Sequence, residues 1–239
     1  MDHPADHSLS QGKPGAWRPS GGLRWHLRAW RHRRIHDPFR HDIGRFLQSW
    51  DHGSKELLVV GPSAGWFLPQ SFLLRFSRLV LIDLDTSAPF FFRLRHGRAL
   101  RQSGVDTDWI QEDFVECLPR LLAMSRDPAV LFCNVLGQLA LERTDADARL
   151  AELPAMLTEH RWASFHDRFS ARVPVEPPPG EQAFTSHIPM DGDMLQKLGY
   201  SGEWCDHGTG GILPAGAVKC YLPWRIDPRR LHWIEAGKV

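Results

Sequence analysis

Several things are scarce in this 239-residue chain, and each scarcity excludes something. Cysteine occurs four times, at 117, 133, 205 and 220, with no C-x-x-C pair, so no disulfide scaffold is expected and a reducing cytoplasm is the expected compartment. Net charge is scarce too: 29 basic against 28 acidic side chains leave +1, while apolar content is an ordinary 42%, which excludes global disorder. No apolar run approaches the ~18–20 residues of a bilayer span. The opening MDHPADHSLSQGKPGAW has no apolar core, so neither a membrane span nor a secretory signal is expected. Lysine appears only at 13, 55, 197, 219 and 238 and tyrosine twice, so positive charge here means guanidinium. What is abundant is Trp, with 10 copies, and His, with 13.

The charge is unevenly placed. Between Trp17 and Trp50 lie Arg18, Arg24, Arg28, Arg31, Arg33, Arg34, Arg40 and Arg45 against only Asp37 and Asp42. Residues 1–20, with Pro4, Pro14 and Pro19 and no apolar period, read as a flexible tail. Residues 21–52 read as a helical cap: Leu23, Leu27 and Trp30, then Ile43, Phe46 and Trp50, recur at helical spacing, with a break expected at Asp37-Pro38.

From 53 onward the texture changes to short apolar runs alternating with helical stretches. Runs are expected as strands at 56–60, 79–82, 109–110, 129–133 and 162–165, with helices over 71–78, 89–101, 114–124 and 147–160 between them. A helix at 191–198 and closing strands around 202–207, 219–224 and 231–236 complete the chain. This order implies an α/β fold, a doubly wound and mainly parallel sheet of about seven strands, with residues 53–239 forming one domain. In such a sheet, ligands bind outside the carboxyl ends of the strands. The residues that end the strands are therefore the candidates: Gly61, Ser63 and Gly65, then Asp83 and Asp85, Asp113, Asn134, His166 and Asp167.

Gly61-Pro62-Ser63-Ala64-Gly65 directly follows the first strand, and its small residues let backbone N–H groups approach a ligand. Asp83, at the next strand end, can accept two ribose hydroxyls, and Asp113 lies within reach of an adenine. On these residues the chain resembles the class I S-adenosylmethionine-dependent methyltransferases, over about 55–167 and more loosely beyond. The resemblance implies S-adenosylmethionine as cofactor and a soluble small-molecule or peptide acceptor. It maps the glycine turn onto Gly61, Ser63 and Gly65, the ribose-binding acid onto Asp83, the adenine-side acid onto Asp113, and the fourth-strand polar residue onto Asn134; Asp85 is a cofactor-side candidate by its place at the end of the second strand. Two positions depart from the family: Ser63 stands at the middle glycine and Val59 at the acid of the first strand.

For proton removal, His166 is the first candidate base, with Asp167 to orient it. Asp206-His207, in the glycine-rich CDHGTGG, is the second, so His207 joins the catalytic candidates. The same turn also spells G-x-S-x-G, the elbow of α/β-hydrolases, which would make Ser63 a nucleophile served by Asp206 or Asp227 and His232. A third reading is a non-catalytic adenosine-ligand-binding protein of the same fold. A nicotinamide dehydrogenase is disfavoured, because G-x-G-x-x-G would need Gly at 63 and 66. His26, His32, His36 and His41 share no ligand spacing with a carboxylate, and no metal is expected. The Arg/Trp-rich segment reads as a substrate-covering or structural cap before a nucleic-acid surface, since total charge is neutral.

Overall fold

The structure, a computed structural model, describes residues 22–142, 144–174, 176–200 and 202–239. The expected tail over 1–20 lies outside the described residues. The chain begins with α1 (Gly22–Arg31) and α2 (Asp37–Gln48), then β1 (Glu56–Val60), α3 (Gln70–Leu73), β2 (Arg78–Ile82), α4 (Ala88–Gln102) and β3 (Asp106–Ile110). It continues with α5 (Phe114–Met124), β4 (Ala129–Cys133), α6 (Leu136–Glu142), α7 (Ala146–Met156) and β5 (Trp162–Arg172). It closes with β6 (Phe184–Ser186), α8 (Gly192–Lys197), β7 (Cys205–Asp206), β8 (Lys219–Asp227) and β9 (Arg230–Lys238).

One mixed sheet runs in the order β3-β2-β1-β4-β5-β9-β8-β6, with β7 also on β5. The first five are parallel, and β9, β8, β6 and β7 are antiparallel additions. This is the α/β, doubly wound, Rossmann-like architecture, extended by the short β6 and β7.

The continuous apolar runs of β1, β2 and β4 follow from burial on both faces. On one face Leu57, Val59, Leu79, Leu81 and Leu131 pack with Phe39, Ile43 and Leu47 of α2, Phe72 of α3 and Phe92 of α4. On the other, Leu58, Val60, Val80, Val130 and Phe132 meet Leu118 and Leu122 of α5 and Leu150 and Leu153 of α7. Beyond the parallel region Phe169, Tyr221, Leu231 and Trp233 form a third cluster with Leu195, Tyr200 and Trp204.

The N-terminal segment is packed in two ways. The apolar residues of α2 are buried in the core of the sheet face, whereas α1 presents Leu23, Leu27 and Trp30 outward and lies over the strand ends. Pro38 does not interrupt a helix. It occupies the first turn of α2, where its missing N–H costs nothing, and the break falls earlier, over residues 32–36.

Three further elements differ from their expected limits. The helix expected over 71–78 is the four-residue α3, because Arg78 already begins β2. The strand expected at 109–110 begins at Asp106, polar on a sheet edge. The fifth strand does not stop at Phe165 but runs on to Arg172, because β9 pairs along it and covers its polar residues, with an irregularity between Asp167 and Phe169. Helix α6, after Asn134, has no counterpart in the expected order.

Candidate active site

The carboxyl ends of the parallel strands open into two adjoining chambers. The larger, about 470 Å³, is lined by Asp83, Asp85, Glu112, Asp113 and Phe114. The second, about 260 Å³, is lined by Ser63, Asn134, Asp167, His207, Trp224 and His232. Gly61, Asp83, Asp85, Val135 and Gln138 line both. The larger volume falls within the ~300–1,000 Å³ of small-molecule sites.

Of the glycine turn, Gly61 lines both chambers, Ser63 only the smaller one, and Gly65 neither. Gly61 has φ +69°, and a Cβ there would sit 1.9 Å from Val135 Cγ1, so no side chain fits. Gly65, with φ +65°, passes so close to His96 that a Cβ would lie 2.7 Å from its Nε2. The same Nε2 donates to the Gly65 carbonyl at 3.1 Å. Ser63 between them is also left-handed, at φ +52°. Its amide donates to Asp83 Oδ2 at 2.7 Å, and the Asp85 amide donates to Asp83 Oδ1 at 2.9 Å. Asp83 thus ties the turn to the end of β2. Burial raises its pKa, against the lowering effect of those two amides. Each carboxylate oxygen has a second lone pair for a ligand hydroxyl. Asp113 lines the larger chamber and caps α5, accepting from the Val115 amide at 3.0 Å.

Asp85 lines both chambers and also anchors the N-terminal helix. Its Oδ2 accepts from the Gly22 amide and from His26 Nε2, both at 3.1 Å, so it fastens α1 over the site. Trp66 Nε1 donates to His26 Nδ1 at 3.2 Å, which leaves Nε2 as the donor to Asp85. Burial alone would raise the Asp85 carboxyl, but hydrogen bonds from Ser87 and the neighbouring His26 outweigh it and hold it low.

The smaller chamber is floored by a cluster that sequence spacing does not reveal. Asn134, left-handed at φ +56°, ends β4 and donates through Nδ2 to Asp167 Oδ2 at 3.1 Å. Asp167 Oδ1 accepts from His232 Nδ1 on β9 at 2.6 Å. Thr209 Oγ1 donates to the Asp167 carbonyl at 2.7 Å. Helix α6 approaches from the side, and Gly137 permits this: a Cβ there would be 3.0 Å from Asp167 Cβ. His207, in the loop after β7, has its Nε2 2.9 Å from Ser170 Oγ. Asp167, His207 and His232 are 4%, 6% and 6% exposed and line the chamber. Burial pushes the Asp167 carboxyl up, but His232, His207 and Asn134 together outweigh it and hold it at about 2. Burial pushes the His207 imidazole down, so it is neutral at pH 7.

His166 is elsewhere. Because β5 continues as a strand, residues 165 and 167 face the chamber and 166 faces away. It is 0% exposed, its Nδ1 lies 2.8 Å from Ser164 Oγ, and its Nε2 lies 3.7 Å from buried Glu235. The expectation that it ends a strand and serves as base therefore does not match its position; His232, from β9, takes the place beside Asp167. The hydrolase arrangement is not formed either. Ser63 Oγ is buried without a hydrogen-bond partner, while Asp206 pairs with Arg168 and the Gly208 amide, and Asp227 with Arg230.

Of the basic segment, Arg28 lines the smaller chamber. Arg40 and Arg45 pair locally with Asp37 and Asp42, and Arg24, Arg31, Arg33 and Arg34 are exposed. His36 donates to the Ile226 carbonyl at 3.1 Å, a structural tie rather than a ligand position. Sequence reasoning missed Arg28, Val135, Gln138 and Trp224 as lining residues. His232 entered the sequence reading only as the histidine of the hydrolase alternative, and nothing in its spacing joined it to Asp167.

No family model matches the chain, and no curated protein matches it by sequence. In shape it is similar to solved methyltransferases at low identity. The N-methyltransferase NodS from Bradyrhizobium japonicum WM9, in complex with S-adenosyl-l-homocysteine, aligns at TM-score 0.45 and 15% identity over 87% of this chain and 91% of that one. Magnesium protoporphyrin IX methyltransferase from Synechocystis PCC 6803 aligns at TM-score 0.48 and 11% identity, over 89% and 91%. The glycopeptide N-methyltransferase MtfA aligns at TM-score 0.43 and 13% identity, over 82% and 89%.

Proposed function

We propose that the protein is an S-adenosylmethionine-dependent methyltransferase acting on a small-molecule or peptide acceptor. The observation that carries this reading is the pair of chambers meeting at Gly61, Asp83, Val135 and Gln138, one lined by acids at strand ends and the other by a buried Asp/His cluster. In this reading the larger chamber takes the nucleoside. Asp83 holds its ribose hydroxyls, Asp113 and Phe114 lie along its base, and Gly61 lets it approach the backbone where the glycine turn, shaped by Ser63 and Gly65, begins. When bound, the cofactor supplies an electrophilic methyl group on a sulfonium.

The remaining work belongs to the chain. Methyl transfer needs in-line positioning, exclusion of water and a place for the acceptor's proton. Trp224, Phe165 and α1, fastened through Asp85 and His26, close the smaller chamber over the acceptor. Asn134 and Asp167 orient it from the floor, and His207 and His232 stand where its proton must leave. Asp167 accepts from His232 Nδ1 and so fixes the orientation of that ring in the chamber.

Calorimetric titration with S-adenosylmethionine and with its demethylated product tests the reading. Saturable binding of both, weakened in Asp83→Asn, is expected; no heat from either at up to about 1 mM would remove it.

A further inference from the structure

We propose that Asp167, His207 and His232 form a binding site for one divalent transition-metal ion at the floor of the smaller chamber. One ligand atom of each lies within 4.8 Å of the other two, and all three residues are buried. They come from β5, the loop after β7 and β9, so it is the sheet register, not a motif, that assembles them.

A carboxylate–imidazole pair alone needs no metal. The second imidazole is what the pair does not explain. The Ser170 hydroxyl oxygen lies 2.9 Å from His207 Nε2, which leaves Nδ1 as the second polar atom of that ring. That atom is buried without a hydrogen-bond partner. Asn134 Oδ1, on the side chain that holds Asp167, is likewise buried with no donor. Buried polar atoms without partners therefore gather around the Asp167 carboxylate, an arrangement that a cation relieves.

The donor set selects the ion. Two imidazoles and one carboxylate suit Zn²⁺, Co²⁺, Fe²⁺ or Mn²⁺, whereas Mg²⁺ and Ca²⁺ favour all-oxygen shells. Three protein ligands leave open positions, as in catalytic rather than structural sites. The outer partners are in place as well: Ser170 on His207 and Asn134 on Asp167. The open positions face the chamber, where an acceptor hydroxyl or amine would meet the ion and lose its proton more easily; with both imidazoles ligating, that proton passes to solvent rather than to His207 or His232.

The site is tested on the full chain, stripped with chelator and titrated with Co²⁺ while its visible absorption is followed. One equivalent is expected to bind, with X-ray absorption counting two imidazoles per cobalt. Ser170→Ala, which spares all three ligands, is expected to weaken Co²⁺ about 10–100-fold, and His207→Gln and His232→Gln more than that. His187→Gln, at an exposed histidine, is expected to change nothing. Failure of the wild-type chain to bind, one imidazole or none per cobalt, or unchanged affinity in both ligand variants would overturn the proposal. The absorption count needs no variant, so it decides even where a variant does not fold. Cobalt binding without nucleoside binding would keep the metal site and remove methyl transfer; the reverse would remove the metal site.

Discussion

Acidification should loosen the glycine turn through one histidine. His96 on α4 donates through Nε2 to the Gly65 carbonyl, while its Nδ1 is buried without a partner beside Phe92. Burial comes first among the causes that lower its pKa from 6.5 to about 4; the nearby Arg95 adds to it and the bond to Gly65 opposes it. The folded chain thus refuses a proton that the unfolded chain accepts, and stability rises with pH between the two values. The His96 contribution is essentially complete at pH 7, is being lost below pH 6.5, and is exhausted near pH 4. With 1.36 kcal/mol per pH unit, about 2 kcal/mol is lost between pH 7 and pH 5. For a chain of this size that corresponds to roughly 4–8 °C in Tm. His96→Gln keeps an N–H for the Gly65 carbonyl and cannot titrate. Thermal unfolding of both proteins at pH 7, 6 and 5 should show the wild type falling faster by this amount, with cofactor affinity falling alongside. Parallel profiles would refute the reasoning. His26, His36, His52 and His207 are also lowered by burial and act in the same direction, so the variant retains a weaker acid sensitivity.

Other outcomes follow from the same contacts. Gly61→Ala places a methyl on Val135 Cγ1 in a left-handed backbone, so nucleoside affinity should drop more than tenfold; adding Val135→Ala should restore part of it, and an unaffected single variant would contradict the turn's role. His166→Gln should leave nucleoside and Co²⁺ affinity within about twofold while lowering stability by ~1–3 kcal/mol through its buried neighbours Ser164 and Glu235; abolished ligand binding in a folded variant would return His166 to the site. Cys133 lies at the chamber wall, but burial pushes its thiol far up, so iodoacetamide at pH 8 should leave it unmodified until the chain is denatured; fast alkylation of the native protein would show the wall to be open.

The parallel half of the fold was legible because β1, β2 and β4 are short, largely apolar runs closed by a polar or glycine residue, a pattern that burial on both faces imposes, whereas the polar edge strand β3 was read only from its last two residues. The glycine turn and the acids at 83 and 113 were legible for the same reason: position after a strand is a local property. Helix α6 was not, since Val135-Leu136-Gly137 carries no start signal, and its place depends on Gly137 seating against Asp167. The length of β5 was hidden because polar His166 and Asp167 look like a strand end until β9 covers them.

What the sequence by itself determined was the layer order, the turn and the row of strand-end acids, all dictated by local periodicity and hydrophobicity. What only the tertiary structure decided was which polar residues share a chamber. Alternation along β5 sends His166 into the core and Asp167 into the chamber. Antiparallel pairing then brings His232 from 65 residues away to 2.6 Å from that carboxylate, and pairing of β7 with β5 adds His207. Those contacts are set by strand register, which a linear pattern of residue types does not encode.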